Sequence, residues 1–444
     1  MGARVRATTS GMAAHASHDP LVPLADAKAY VLDRIHRAEP ARVPLAAARG
    51  LVLAEQIAAL DSVPPFANTA VDGFAVQAAD LSAATDATPV TLRVVGTIAA
   101  GAPPSIPVGR GEAVRIMTGA PMPAGADAVV MVELTDGWTG NDTVSVRASV
   151  AVGAHIRGAG DDVVVGMVVF EPGELLTPGH LGVLASLGYL DVLASPRPRV
   201  GVLSTGDELI EGPQTLEPGQ IRDSNRVTLL ALVEEMGCEG VDLGIARDTE
   251  ADITTAIERG VKECDALLTS GGVSMGAFDY VKVVLDRIGT MRWMQVAIKP
   301  AKPFAFGTVS VPTAPTAISE PDAVVVVSMV PVFGLPGNPV SSMVSFELFA
   351  RPALRKMMGV PQAQWERPTV RAITDEPIRG HDDGKVHFNR VLTVLSHDGR
   401  VHVRTSGGQG SHHLLAMARA DALAVIPVGP AIDAGGEVDV LVLR

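Results

Sequence analysis

Between residues 200 and 345, short apolar runs end in glycine-bearing loops three times, and segments of helical period alternate with them. The runs cover 200–204, 265–269 and 324–330. The loops are STGDEL (from Ser204), TSGGVSMGAFDY (from Thr269) and GLPGNPVSS (from Gly334). A further strand is expected at 241–245, with helices at 224–236, 249–259, 280–288 and 340–358, the last broken before Pro352. Alternation at this spacing predicts a doubly wound α/β domain of parallel strands over 197–360. Such sheets bind ligands at the carboxyl ends of their strands, where these loops stand.

Taken singly, each loop reads as an ordinary helix start. Asp207 and Glu208 suit a first turn because acids favour the positive end of the helix dipole. Ser224 reads as an N-cap with Gly237 at the C′ position, and Thr249 with Asp252 as a capping box. Asp279 also reads as an N-cap. Asn338 is a good N-cap with Pro339 at the first helical position. Three such loops on one edge predict more. Gly271 and Gly272 beside Ser270, and Gly337 between Pro336 and Asn338, let backbone N–H groups approach an anion closely. Two of the seven lysines, Lys299 and Lys302, fall in IKPAKPFAFG, a loop suited to an oxyanion, with Phe304 and Phe306 as core.

The flanking sequence has different character. A helix is expected at 24–37, closed by Pro40 and Pro44. Residues 63–152 alternate β-branched runs (90–95, 128–132, 143–146) with Gly/Pro turns and read as an inserted β domain. The pieces 21–62 and 153–196, with a helix at 181–190, form a discontinuous linker domain around it. Residues 361–444 read as a final β domain, with strands at 369–374, 390–395, 401–405, 422–426 and 438–442. The class is α/β plus all-β, multidomain. Residues 1–20, Ala/Ser/Thr/His-rich without an apolar core, read as a disordered tail.

Charge narrows the function. With 36 basic and 49 acidic residues the formal net charge is −13, which argues against nucleic acid as a partner. No apolar run reaches the roughly 18 residues of a membrane span. Cys238 and Cys264 are the only cysteines, which excludes a disulfide framework or a cysteine-based zinc site and suggests a reducing compartment. Carboxylates at loop tips, Asp72, Asp162, Glu208, Asp248 and Asp279, are hard oxygen donors suited to Mg2+. Together with amide loops and lysines they suggest a nucleotide or pyrophosphate substrate. In the β domain, Asp72-Gly73 resembles a turn.

At these residues the chain resembles the molybdopterin molybdenumtransferases, the bacterial MoeA enzymes and the E domain of gephyrin-like proteins. The matching stretches are NTAVDGFAV, RIMTGAP, GDD, LSTGDEL, TSGGVSMGAFDY, KPAKPFAFG, GLPGNPVS and GQGSHHLLAMARADAL, in the family's order and over nearly the whole chain after about residue 20. The resemblance implies a molybdopterin-binding α/β domain, an inserted β domain, a linker domain used in dimerisation and a C-terminal β barrel. It implies molybdenum insertion into adenylylated molybdopterin from molybdate, with AMP released and Mg2+ assisting, in a cytoplasmic homodimer that a molybdopterin adenylyltransferase can partner.

By motif match, the functional residues implied are Asp72, Thr118, Asp162, Glu208, Asp248 and Asp279, with Glu208 and Asp279 as metal ligands. Lys299, Lys302, Ser341, Arg390 and Ser411 match molybdate-side contacts. Ser270, Gly271, Gly272, Pro336, Gly337, Asn338 and Pro339 match the pterin and phosphate loops. An intertwined dimer can place Asp72 and Thr118 in the partner chain's site. Two departures stand out. Ala301 precedes the second lysine where the family often has glycine, a change expected to matter little. Residues 311–322 read as an inserted loop. The alternatives are the adenylyltransferase of the same pathway, which typically lacks the flanking β domains, and a non-catalytic pterin carrier or scaffold.

Overall fold

The computed structural model describes residues 20–138, 142–273, 280–312 and 327–444. The chain divides into two compact units. One is Pro40–Ala194; the other joins the residues up to Glu39 with Ser195–Arg444.

The larger unit is built on a six-stranded sheet. Its order is Glu239–Ala246, Arg199–Thr205, Ala266–Ser270, Val327–Leu335, Pro303–Pro312 and Gly289–Gln295. The first four strands are parallel, as their alternation with helices requires. The last two are antiparallel, so the sheet is mixed rather than all parallel. The difference has a local cause. The segment read as an oxyanion loop runs straight from Lys302 into the Pro303–Pro312 strand, whose alternate register pairs Phe306 with Phe333. Phe304 and Phe306 are fully buried, as expected for core residues. Residues 311 and 312, counted with the inserted loop, lie in this strand; residues 313–326 are outside the described set.

Helix Glu250–Glu263 starts on the expected capping contact, with the Thr249 side chain accepting from the Asp252 N–H. Its Ile253, Ile257 and Val261 join Val281, Val284 and Leu285 of helix Tyr280–Ile288 in one core against the sheet. Helix Asn225–Glu235 differs at its start. Ser224 makes no side-chain cap bond, because it already has helical dihedrals; Asp223 Oδ1 accepts from the Arg226 N–H instead at 3.2 Å. Gly237 adopts φ +88°, the left-handed C′ geometry. The last helix is interrupted as expected. An α-helical turn, Pro339–Ser345, passes through a π-helical turn, Phe346–Ala350, into Arg351–Met357. The wide turn ends just before Pro352, which lacks an N–H to continue the ladder.

The first helix, Leu24–Leu32, is shorter than expected and does not join the linker residues. It lies in the larger unit. Lys356 Nζ donates to the Leu32 carbonyl at 2.8 Å, and the Tyr30 ring meets Phe306 edge-on. In the C-terminal part, strands Val386–Leu395, Val401–Thr405, Thr369–Thr374, Glu437–Val442 and Ala422–Ile426 follow one another. The last pairs back on the first and closes a five-stranded barrel. The short Ile298–Lys299 strand adds to Val386–His387 in parallel.

The smaller unit carries a five-stranded sheet in the order Ala128–Met131, Gly73–Val76, Glu112–Ile116, Val90–Ile98, Thr143–Val146. Alternation splits its side chains onto two cores. Phe74 and Val76 face Leu81, Leu92 and Val130, whereas Ala75 faces Ile98, Val114 and Val129. Gly73 opens a strand rather than sitting in a turn. A Cβ there would lie 1.8 Å from the Val130 carbonyl oxygen, so only glycine fits beside Asp72. A helix, Pro178–Ser186, precedes the Asp191–Ser195 strand and starts earlier than expected because Thr177 caps it.

Candidate active site

The parallel strands of the larger unit end at one edge, and their loops interlock there. Gly271 N–H donates to the Leu335 carbonyl at 3.1 Å. Gly271 stands at φ +98°, and a Cβ on it would meet the Thr205 carbonyl oxygen at 2.9 Å, so glycine is required for this approach. Gly272 also has positive φ. Ser270 is buried and its Oγ accepts from Asn225. Pro336 is buried, and Pro339 occupies the first helical position. Asn338 stands at the N-cap in extended conformation, but its side chain makes no cap bond; its carbonyl accepts from Ser342 N–H at 2.9 Å.

Acidic groups gather beside the first loop. Asp207 Oδ1 accepts the Asp248 N–H at 3.1 Å. Burial first, then the Asp207 and Glu208 carboxylates, hold the Asp248 carboxyl above its ordinary value. Glu208 and Asp248 are exposed. Asp279 lies outside the described residues. Among the described residues no three His, Cys, Asp or Glu side chains form a group able to hold a metal on their own.

The two motif lysines are exposed at the ends of a sharp turn. Between them Ala301 adopts φ +76°, a left-handed conformation that L residues rarely take. The substitution for glycine therefore carries strain, contrary to the expectation that it matters little. Lys299 is paired in register with His387 of the barrel. Three residues on, Arg390 is fully buried with no carboxylate partner among the described residues, and burial pushes its guanidinium down to about 10. Its Nη2 donates to the Gly408 and Gly410 carbonyls at 2.9 and 3.1 Å, while Nε has no partner among the described residues. Arg390 thus holds the GQGS loop in shape. That loop reaches the third strand-end loop, since the Val340 N–H donates to the Ser411 carbonyl at 3.1 Å. Ser341, next to Val340, is buried.

The smaller unit holds the remaining motif residues. Thr118 binds Asp72 through both its N–H and its hydroxyl, at 2.7 and 2.6 Å. These contacts, the hydroxyl first, hold the Asp72 carboxyl below its ordinary value. Asp162 is exposed, and its N–H donates to the Val63 carbonyl at 3.0 Å. The chain leading to Asp162 runs alongside the chain leading to Asp72, through the antiparallel pairing of Ile156–Arg157 with Asn68–Thr69.

Four residues escaped the sequence reading. Asp223 lies in the turn before the Asn225–Glu235 helix, and Asn225 and Arg226 open that helix. The signal was there, since polar residues clustered before an apolar helix favour capping and turn bonds, but Ser224 drew the capping role. Arg226 is buried among Asp223, Asp242 and Glu211. Burial opposes its charge, yet these three acids raise its basicity. His387 was also missed. It is buried, stacked on His381 with ring centroids 3.4 Å apart, and bonded to Asp383.

Comparison with known proteins agrees with this architecture. Residues 22–188 match the MoeA N-terminal region (domain I and II). Residues 201–356 match a probable molybdopterin binding domain, and 373–443 the MoeA C-terminal region (domain IV). Molybdopterin molybdenumtransferase 2 of Mycobacterium tuberculosis is 38% identical over 406 residues, covering 89% of this chain and 93% of that one. The molybdopterin molybdenumtransferase of Haemophilus influenzae is 38% identical over 376 residues, covering 84% and 86%. The crystal structure of the molybdopterin biosynthesis moeA protein from Pyrococcus horikoshii OT3 superposes with a TM-score of 0.72 at 30% identity, covering 95% of this chain and 100% of that one. Three motif-bearing loops on one sheet edge, a closed C-terminal barrel and relatives matched over most of their length leave one assignment: the chain belongs to the MoeA family of molybdopterin molybdenumtransferases.

Proposed function

We propose that the chain inserts molybdenum from molybdate into adenylylated molybdopterin and releases AMP. The observation that carries this reading is the meeting of the Ser411 loop with the start of the Pro339–Ser345 helix, through Val340. It joins the phosphate-side loop to the barrel that carries Arg390 and pairs with Lys299. Ser270, Gly271, Gly272 and the Pro336–Pro339 loop would bind the pterin and its pyrophosphate. Lys299 and Lys302, with Ser341, Arg390 and Ser411, would bind molybdate.

Mg2+ would be held by Glu208 and Asp279. Of the two, Glu208 lies among the described residues: it offers oxygen donors alone, beside the Asp207 and Asp248 carboxylates, and two protein ligands would leave positions for substrate phosphate oxygens. Bound there, the ion would supply charge neutralisation on the pyrophosphate. The attacking oxygen comes from molybdate or from water. Asp72, Thr118 and Asp162 would complete the site, Asp72 and Thr118 in the partner chain of a homodimer, with the linker segments that lie in the smaller unit, 40–62 and 153–194, serving dimerisation. A molybdopterin adenylyltransferase would hand over the substrate. A cytoplasmic setting suits the two cysteines, both free and buried. No helix of the described residues is long and apolar enough to cross a membrane.

The test mixes purified full-length protein, adenylylated molybdopterin, Mg2+ and molybdate, and follows AMP. Molybdate-dependent AMP release is expected. Its absence sinks the reading, and adenylylated pterin formed from ATP and unmodified molybdopterin would support the adenylyltransferase instead.

A further inference from the structure

Asp223 and Asn225, at the start of the Asn225–Glu235 helix, brace three strand ends at once. Ser204 Oγ, at the end of the Arg199–Thr205 strand, donates to Asp223 Oδ1 at 3.1 Å. Two residues on, Asn225 Nδ2 donates to Ser270 Oγ, at the end of Ala266–Ser270, and to the Gly337 carbonyl, just past Val327–Leu335, both at 2.7 Å. A side-chain amide nitrogen has two hydrogens. Both are spent here, each on a different loop. The same loops approach most closely at their glycines: a Cβ on Gly337 would lie 3.8 Å from Gly271 Cα. The Gly271 N–H bond to the Leu335 carbonyl joins these loops at their roots, and Asn225 spans them a second time through its side chain.

Resting on the transferase reading, we infer that Asn225 is a positioning residue that sets the gap between the Ser270 and Gly337 loops before the pterin nucleotide binds. Preorganised loops spare the substrate the cost of ordering them. Losing the brace therefore weakens binding of the pterin nucleotide. Molybdate dependence stays as it is, because the Lys299–Lys302 turn makes no bond to Asn225. Arg226 ties Asp223 to the same helix start, since its Nε donates to Asp223 Oδ2 at 3.1 Å.

The experiment compares wild type with Asn225→Asp and Asn225→Ala in the full-length protein. Asparagine to aspartate keeps the shape, removes both donors and sets a carboxylate against the Gly337 carbonyl. Alanine removes the donors without adding charge, at a helix start that tolerates it. Loss of both hydrogen bonds, partly recovered by loop relaxation, predicts KM for adenylylated molybdopterin raised roughly tenfold. Half-saturating molybdate should stay at its wild-type value, and Tm should fall by no more than a few degrees. Unchanged KM in both variants overturns the inference, as does a parallel rise in the molybdate requirement. Calorimetric Kd for adenylylated molybdopterin needs no turnover. Absent AMP release in the wild type sinks the transferase reading, whereas an unchanged Kd in Asn225→Asp sinks this one.

Discussion

Thr118 gives one Asp72 oxygen two hydrogen bonds, from its N–H at 2.7 Å and its hydroxyl at 2.6 Å. Both donors favour the charged carboxylate, which is why Asp72 sits below its ordinary value. Thr118→Val keeps the N–H and the shape but removes the hydroxyl, the larger contribution. The Asp72 carboxyl should then titrate higher than in the wild type, as followed by carbon NMR. If Asp72 works as an anion, the acidic limb of the rate profile should move up with it. An unchanged Asp72 titration would show that the hydroxyl does not tune this acid.

Glu208 is exposed at a loop tip and packs against no core. Glu208→Ala should therefore cut turnover by about tenfold or more while Tm stays within a few degrees of wild type. The same change removes one of the charges that raise Asp248, so the Asp248 carboxyl should titrate lower in the variant. Collapse of Tm with normal turnover in the remaining folded protein would mean that Glu208 is structural.

The alternating α/β core was legible because its signals are local: buried β-branched runs, the Thr249–Asp252 cap, the Gly237 C′ residue. The antiparallel pair was not. Gly289–Gln295 mixes Arg292, Trp293 and Gln295 without an apolar run, and its half-buried residues are explained only by its edge position against Pro303–Pro312. The first helix was read as a helix but placed with the wrong neighbours, since nothing local to Tyr30 reveals a contact with Phe306. The site divides the same way. Glycines, lysines and acids in motifs were visible, whereas Asn225 matters through partners 45 and 112 residues away.

Ala301 tests how much strain the lysine turn carries. At φ +76° alanine is already disfavoured, and a β-branched residue adds steric conflict in the same dihedral region. Ala301→Val should lower stability by about 1–3 kcal/mol and raise the half-saturating molybdate concentration, because Lys299 and Lys302 flank the distorted residue. Lys299→Ala should raise the molybdate requirement without the loss of stability. Urea unfolding alongside molybdate titration separates the two. Equal stability of Ala301→Val and wild type would show that this turn is not strained.

His402 offers a pH readout on the Val401–Thr405 strand of the barrel. Its Nδ1 contacts Asp375 Oδ1 at 2.6 Å and its Nε2 contacts Asp398 Oδ2 at 3.1 Å. The Asp375 contact first, then the Asp398 contact, raises its basicity above that of an ordinary histidine. A group whose value rises on folding stabilises the fold fully below its unfolded value, and that contribution fades as pH climbs through the folded one. Wild type should thus lose stability relative to His402→Gln as pH rises through the neutral range, with the difference largest on the acidic side. The contribution shrinks in high salt, since the pair is solvent-facing. Parallel stability curves for the two proteins from pH 5 to 9 would mean that His402 carries the same charge folded and unfolded.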